Sequence, residues 1–80
     1  MTYYVYMLKT TKGKSYTYVG YTKNLTKRIK LHNTGKGAKF TRGRQWRLIF
    51  KEKCRTKSEA ISREYYIKHN KTLRNKIKNK

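Results

Sequence analysis

Apolar residues first recur at every second position. Between residues 3 and 9, Tyr4, Tyr6 and Leu8 fall on one side of an extended chain and Tyr3, Val5 and Met7 on the other, so both faces offer something to bury. A strand of that kind belongs at the centre of its sheet. Residues 15–21 have the same aromatic and β-branched character, and the polar link 10–14, with one glycine, predicts that the two segments form a β-hairpin. After Tyr21 the period becomes helical. Asn24 is a good N-cap, and Leu25, Arg28, Ile29 and His32 follow at i, i+3, i+4 and i+7 until Asn33 and Gly35 stop the helix. Residues 46–50 (Trp, Arg, Leu, Ile, Phe) predict a third strand, antiparallel to the hairpin. Thr56 and Glu59 then form a capping box that launches a helix through Lys68 or His69, with Ala60, Ile61, Tyr65 and Ile67 as its apolar face and Glu64 in the middle of that face. Residues 71–80 carry Leu73 and Ile77 one turn apart among basic residues, and either form a short helix over the sheet or fray. The pattern therefore predicts one α+β domain over residues 1–80, a three-stranded antiparallel sheet flanked by two to three helices.

Composition adds a partner to this picture. Lys and Arg number 23 against 3 Asp and Glu, a formal net charge of +20. Such a surplus repels itself in the compact state and calls for a polyanion, nucleic acid first of all. A membrane-surface helix would collect its cations opposite an apolar stripe, whereas here they are spread through strands, loops and both termini. Eighty residues bury a small core, so the eight tyrosines must supply much of it. Cys54 is the only cysteine, which excludes an internal disulfide and a cysteine-rich zinc module. With no apolar N-terminal stretch, the expectation is a cytoplasmic or nuclear protein, with the sequons at Asn24 and Asn70 serving as a helix cap and a turn.

Candidate chemistry sits in particular residues. Lys36, Lys39, Arg42 and Arg44 alternate with Gly35, Gly37 and Gly43 around Phe40, a loop of mobile amides, cations and one aromatic suited to a phosphodiester backbone. Gly13-Lys14-Ser15 ends like a P-loop, but the earlier glycine of that motif would fall at Leu8 inside a strand. Glu64 is an acid placed where a hydrophobe belongs, and needs a partner. From the residues alone, that partner is Arg28 or a nearby lysine in an ion pair. On spacing alone, likewise, Arg28 snorkels past the core edge and His32 is a hydrogen-bonded packing residue.

The order Tyr4-Val5-Tyr6, Tyr18-Val19-Gly20, Tyr21-Thr22, Asn24-Leu25, Arg28, His32-Asn33, the loop Gly35 through Arg42, Ser58-Glu59-Ala60 and Arg63-Glu64 resembles the GIY-YIG endonuclease family, in its small single-domain bacterial and Slx1-like branch. The resemblance covers residues 3 to about 68. One departure is that Tyr4 stands where the family's first motif has its glycine. The resemblance implies a metal-dependent DNA endonuclease, and it implies roles. Tyr6 would be the general base, Tyr18 would order the water or share its proton, and Tyr21 would lie on the adjacent strand end. Arg28 would clamp the phosphate, His32 would support it or relay a proton, and Glu64 would hold one Mg²⁺ or Mn²⁺. A metal, Arg28 and the cationic domain are expected to push the Tyr6 pKa down from about 10. Tyr3, Tyr4, Tyr16, Tyr65 and Tyr66 are read as core and sheet residues, and Glu52 and Glu59 as structural. Asn75 lies near where relatives complete the site. A non-catalytic basic nucleic-acid binder is the competing expectation, and a protein scaffold or a dimer stays open.

Overall fold

A computed structural model describes residues 2–79. Strands β1 (Tyr3–Thr10), β2 (Thr17–Thr22) and β3 (Trp46–Cys54) form one antiparallel sheet in the order β2-β1-β3, and helices α1 (Leu25–Asn33), α2 (Lys57–Lys68) and α3 (Lys71–Lys78) complete the fold. The two-faced strand is central, as its pattern requires. Val5 and Met7 meet Val19, Cys54, Ala60 and Ile67 on one side, with Leu73 and Ile77 of α3 packed against them. Tyr6 and Leu8 meet Trp46 on the other, under Leu25 and Ile29 of α1. The sheet is thus a partition between two small cores, and burial of both faces is what stabilises so short a chain.

The hairpin link closes on Thr10, which belongs to β1 and is buried. Its hydroxyl donates to the Lys14 carbonyl (3.0 Å) and accepts from the Tyr16 amide (3.0 Å), and Gly13 turns the link at φ +69°. Strand β3 runs four residues past the expected Phe50. The register shifts between Met7, opposite Phe50, and Leu8, opposite Leu48, so Ile49 is an extra residue in a β-bulge. The bulge puts Ile49 and Phe50 on the same core, which breaks alternation before Lys51, Glu52 and Lys53 hide the strand's continuation.

Helix α2 corrects the expected apolar face. Ala60 and Ile67 are buried, but Ile61 and Tyr65 are 46% and 65% exposed, and Tyr66 is exposed too. At about 100° per residue, positions 60, 63, 64 and 67 share one stripe, while 61 and 65 lie round the side. Glu64 therefore keeps its inward place, and Tyr65 and Tyr66 are surface residues, Tyr65 lying against His69 with ring centres 4.2 Å apart. Arg63 on the same stripe grips Glu52 of β3 through two bonds of 2.7 and 3.1 Å, which gives Glu52 its structural part. The tail is helical. Asn70 caps α3 by accepting from the Leu73 amide (3.0 Å), so that sequon is a cap and not a turn.

Candidate active site

The outer edge of β2 is unpaired, and α1 and α2 reach it from opposite faces of the sheet. There an open hollow of about 340 Å³ is lined by Tyr6, Tyr18, Gly20, Tyr21, Thr22, Arg28 and Glu64. Each lining residue is delivered by a local feature of the chain. Tyr6 stands on the central strand directly opposite Gly20. A Cβ at Gly20 would lie 2.6 Å from the Tyr6 hydroxyl oxygen and 2.9 Å from Cζ, so the missing side chain is the space that the phenol occupies on its way to the edge. Tyr18, two residues earlier on β2, lies beside it at 6.4 Å between ring centres. Tyr21 points mainly into the Val5 core and only borders the hollow.

Arg28 is placed by the tight passage from β2 to α1. The Thr22 hydroxyl accepts from the Asn24 amide (3.2 Å) and Asn24 Oδ1 accepts from the Lys27 amide (3.1 Å), so the helix starts two residues beyond the strand and sets Arg28 one turn in. Its guanidinium lines the hollow, while its Nε is buried without a hydrogen-bond partner among the described residues. Glu64 arrives from the other face. Its closest cation is Lys68, 4.0 Å away at the limit of an ion pair, so the partner is a lysine of its own helix and not Arg28.

Behind the hollow runs a buried relay. The Tyr6 hydroxyl meets His32 Nε2 at 2.8 Å, and His32 Nδ1 meets Thr41 Oγ1 at 2.9 Å. Thr41 donates its single hydroxyl proton to the Ala38 carbonyl at 2.8 Å, so it accepts from His32 Nδ1–H. The neutral imidazole then carries a lone pair on Nε2, and the Tyr6 hydroxyl donates to it. His32 is fully buried and does not line the hollow, and its link to it runs through the Tyr6 hydroxyl. Thr41 is the residue of this hydrogen-bonded chain that sequence reasoning missed. The Asn33 side chain holds the same corner by bonding both the Trp46 amide (2.6 Å) and the Trp46 carbonyl (3.1 Å), tying α1 to β3.

A family model for the GIY-YIG catalytic domain matches residues 2–78. The chain belongs to the GIY-YIG family. It is 56% identical over 66 residues to a UPF0213 protein of Clostridium perfringens, across 81% of this chain and 69% of that one. It is 48% identical over 67 residues to a UPF0213 protein of Staphylococcus saprophyticus, across 82% and 79%. The solution NMR structure of a UPF0213 protein from Bacillus halodurans resembles it with a TM-score of 0.53 at 42% identity, covering 95% of this chain and 80% of that one. A GIY-YIG domain implies nuclease activity, and so a DNA partner. Among the described residues no helix is long and apolar enough to cross a membrane.

Electrostatics corrects one expectation about this GIY-YIG site. Burial pushes the Tyr6 pKa up to about 12; Arg28 pulls it down by hydrogen bonding and by its charge, Tyr18 and Glu64 push it up by less, and the desolvation decides the sign. Burial raises Tyr18 as well. His32 is held below its ordinary 6.5 by burial and by the Arg28 charge. An imidazole neutral in the fold but protonated in the unfolded chain gives stability that is fully present above about pH 6.5 and lost as pH falls toward the native value. Thermal melts from about pH 7.5 down to about 5 should show a falling Tm, worth at most roughly 1.4 kcal/mol per pH unit, and His32→Gln should flatten the curve.

The remaining expected site residues lie elsewhere. Lys36, Lys39 and Arg42 are exposed on the loop after α1, in which Lys39–Thr41 form a short 3-10 turn. Arg44 is half-buried at the surface, bonding the Phe40 carbonyl at 2.8 Å and lying 4.4 Å over the Tyr16 ring. Phe40 is half exposed and borders a neighbouring hollow. Asn75 is exposed on α3 and does not line the candidate site.

Proposed function

We propose that the chain is a metal-dependent DNA endonuclease, with residues 1–80 acting as a single domain and Tyr6, Arg28 and Glu64 handling one scissile phosphodiester. The observation that carries this reading is their convergence: a phenol from the central strand, a guanidinium from α1 and a carboxylate from α2 line one hollow. The Arg28 guanidinium lines the hollow, and its forked donors suit a phosphate oxygen there.

The relay supplies the proton path. A free Tyr6 phenolate at pH 7 would cost roughly 7 kcal/mol from a pKa of about 12, too much for a resting base. Transfer of the Tyr6 proton to His32 Nε2, 2.8 Å away, as Tyr6 takes one from the attacking water, avoids that cost. Thr41 keeps the imidazole in the tautomer that can accept. Tyr18 orients the water from the neighbouring strand position, Tyr21 lends the rim, and Arg28 holds the phosphate in line.

The donor set fits a hard divalent cation. Glu64 offers one carboxylate whose only ion pair among the described residues is the long one to Lys68, and no cluster of three or more His, Cys, Asp or Glu surrounds it. A single carboxylate suits Mg²⁺ or Mn²⁺, which keep water and substrate oxygens as their other ligands. Such an ion supplies positive charge to the non-bridging and leaving oxygens. The small surface leaves little room to read base sequence, so branched, flapped or otherwise non-B-form DNA in repair, recombination or a mobile or viral element is the natural substrate. Lys36, Lys39 and Arg42 follow the flanking phosphates.

Purified protein should cut plasmid, flap or four-way-junction DNA with Mg²⁺ or Mn²⁺ and stop in chelator. Binding without cutting under every metal condition would instead leave a basic binding domain. Gly20→Ala should lower cleavage by roughly 10²-fold by displacing the phenol, and cost about 1–3 kcal/mol of stability measured by urea unfolding.

A further inference from the structure

Beside the candidate active site, on the same edge of β2, lies a second hollow of about 280 Å³, and Tyr18 is the wall they share. Val19 and Phe40 give it apolar surface, and Lys68 and Arg74 bring cations from α2 and α3. No carboxylate lines it. Phe40 is 46% exposed although it sits among aromatic neighbours able to bury it: nearly parallel to Tyr18 (6.4 Å, 20°), edge-on to Tyr16 (5.8 Å) and 6.1 Å from Trp46. Arg44 bonds its carbonyl and lies 5.2 Å from its ring, so the exposed ring is held in place and not merely left at a loop tip. Arg74 is held as well, its guanidinium donating to the Lys68 carbonyl.

We infer that this hollow is a nucleobase subsite, taking one unpaired base of the DNA strand against Phe40 while Lys68 and Arg74 meet the adjoining phosphate. The inference rests on the proposed nuclease reading and deepens it. A fixed, exposed aromatic face offers sequence-tolerant stacking, and the two cations line the same hollow, beside the ring, to meet the phosphate that follows the base. Bases in a duplex are stacked on both faces and enclosed in the helix, so a pocket at a sheet edge is open only to an unpaired or extruded one. At about 280 Å³ the hollow has room for one planar heterocycle.

Binding in chelator, where nothing is cut, isolates this subsite. The probe is a duplex carrying a single unpaired 2-aminopurine, compared with the same duplex fully paired. The wild type should bind the unpaired form about tenfold more tightly and quench its fluorescence. Phe40→Leu should lose both the quenching and the tenfold advantage while binding the paired duplex as before, and Phe40→Tyr should restore them. Arg74→Gln should keep the quenching, weaken affinity and reduce the salt slope by about one. Equal affinity for the two duplexes with no quenching by the wild type overturns the subsite, whatever the variants do. The nuclease reading answers to a different assay: a protein that cuts DNA without quenching loses only the subsite, and one that quenches but never cuts loses the nuclease.

Discussion

Tyr6→Phe is expected to lower the rate of DNA cleavage by roughly 10³-fold with DNA affinity unchanged. The substitution removes one oxygen, the donor to His32 Nε2 and, in the proposed mechanism, the acceptor of the proton from the attacking water. The ring stays, buried among Leu8, Trp46 and the residues packed on them, so the fold keeps its central contact. Stability should fall modestly, without loss of the fold. The hydroxyl lost from Tyr6 leaves His32 Nε2 as a buried unpaired acceptor, a cost of about 1–3 kcal/mol, offset in part because a phenylalanine is easier to desolvate than a tyrosine. A single-turnover assay with saturating protein separates the rate from binding, and a filter or anisotropy measurement gives affinity. The pH profile adds a further check. The wild-type rate should rise through the His32 titration below pH 6.5 and then stay level to high pH, because Tyr6 ionises only near 12. A Phe variant that cuts at the wild-type rate removes Tyr6 from the chemistry, and with it the relay through His32 and Thr41.

Much of this arrangement was legible in the chain wherever period and chemistry agreed. Alternation on both faces of residues 3–9 places β1 at the centre of the sheet, and the stripe Leu25, Arg28, Ile29, His32 places the guanidinium and the imidazole on the inner face of α1. Glu64 announces itself as an acid at an apolar position. What the pattern hid has physical causes. The bulge at Ile49 shifts β3 by one residue, so its second half no longer alternates in step with its first. Ile61 and Tyr65 lie on the flank of α2, counted in its apolar face for their side chains, whereas the buried stripe centres on Ala60, Glu64 and Ile67.

The relay was half visible. His32 could be read from its spacing, but Thr41 acts through a contact nine residues on, across a loop whose path depends on Gly37. A Cβ there would lie 2.4 Å from His32 Nδ1, so this glycine is needed for close approach to the imidazole, a role its place among loop glycines conceals. The sign of the Tyr6 shift was also out of reach. Counting nearby cations says the phenol should ionise more easily, whereas burial is the larger effect and can be known only once the ring is seen under its neighbours.

Glu64→Gln should reduce cleavage by roughly 10²- to 10³-fold at any Mg²⁺ concentration that saturates the wild type, comparable to removing one preorganised charge from a transition state. The amide matches the carboxylate in shape and still reaches the hollow, so what is lost is the negative charge. That charge is one of three acids in a chain of net charge +20, and it is the one that lines the hollow with Arg28. Folding should barely respond, because the contact to Lys68 is long, at 4.0 Å, and its lysine end is exposed, a pair of the kind worth about 0–1 kcal/mol. Glu59→Gln is the matched control. Glu59 sits exposed in the first turn of α2, where its charge favours the helix N-terminus by about 0.3–1 kcal/mol, and its loss should lower Tm slightly while leaving cleavage intact. The two variants carry the same change in net charge, so a general weakening of DNA binding or folding cannot mimic the difference between them. Cleavage measured across a Mg²⁺ series for both decides the point: equal rates for the two would remove Glu64 from the site and return it to the ion pair with Lys68.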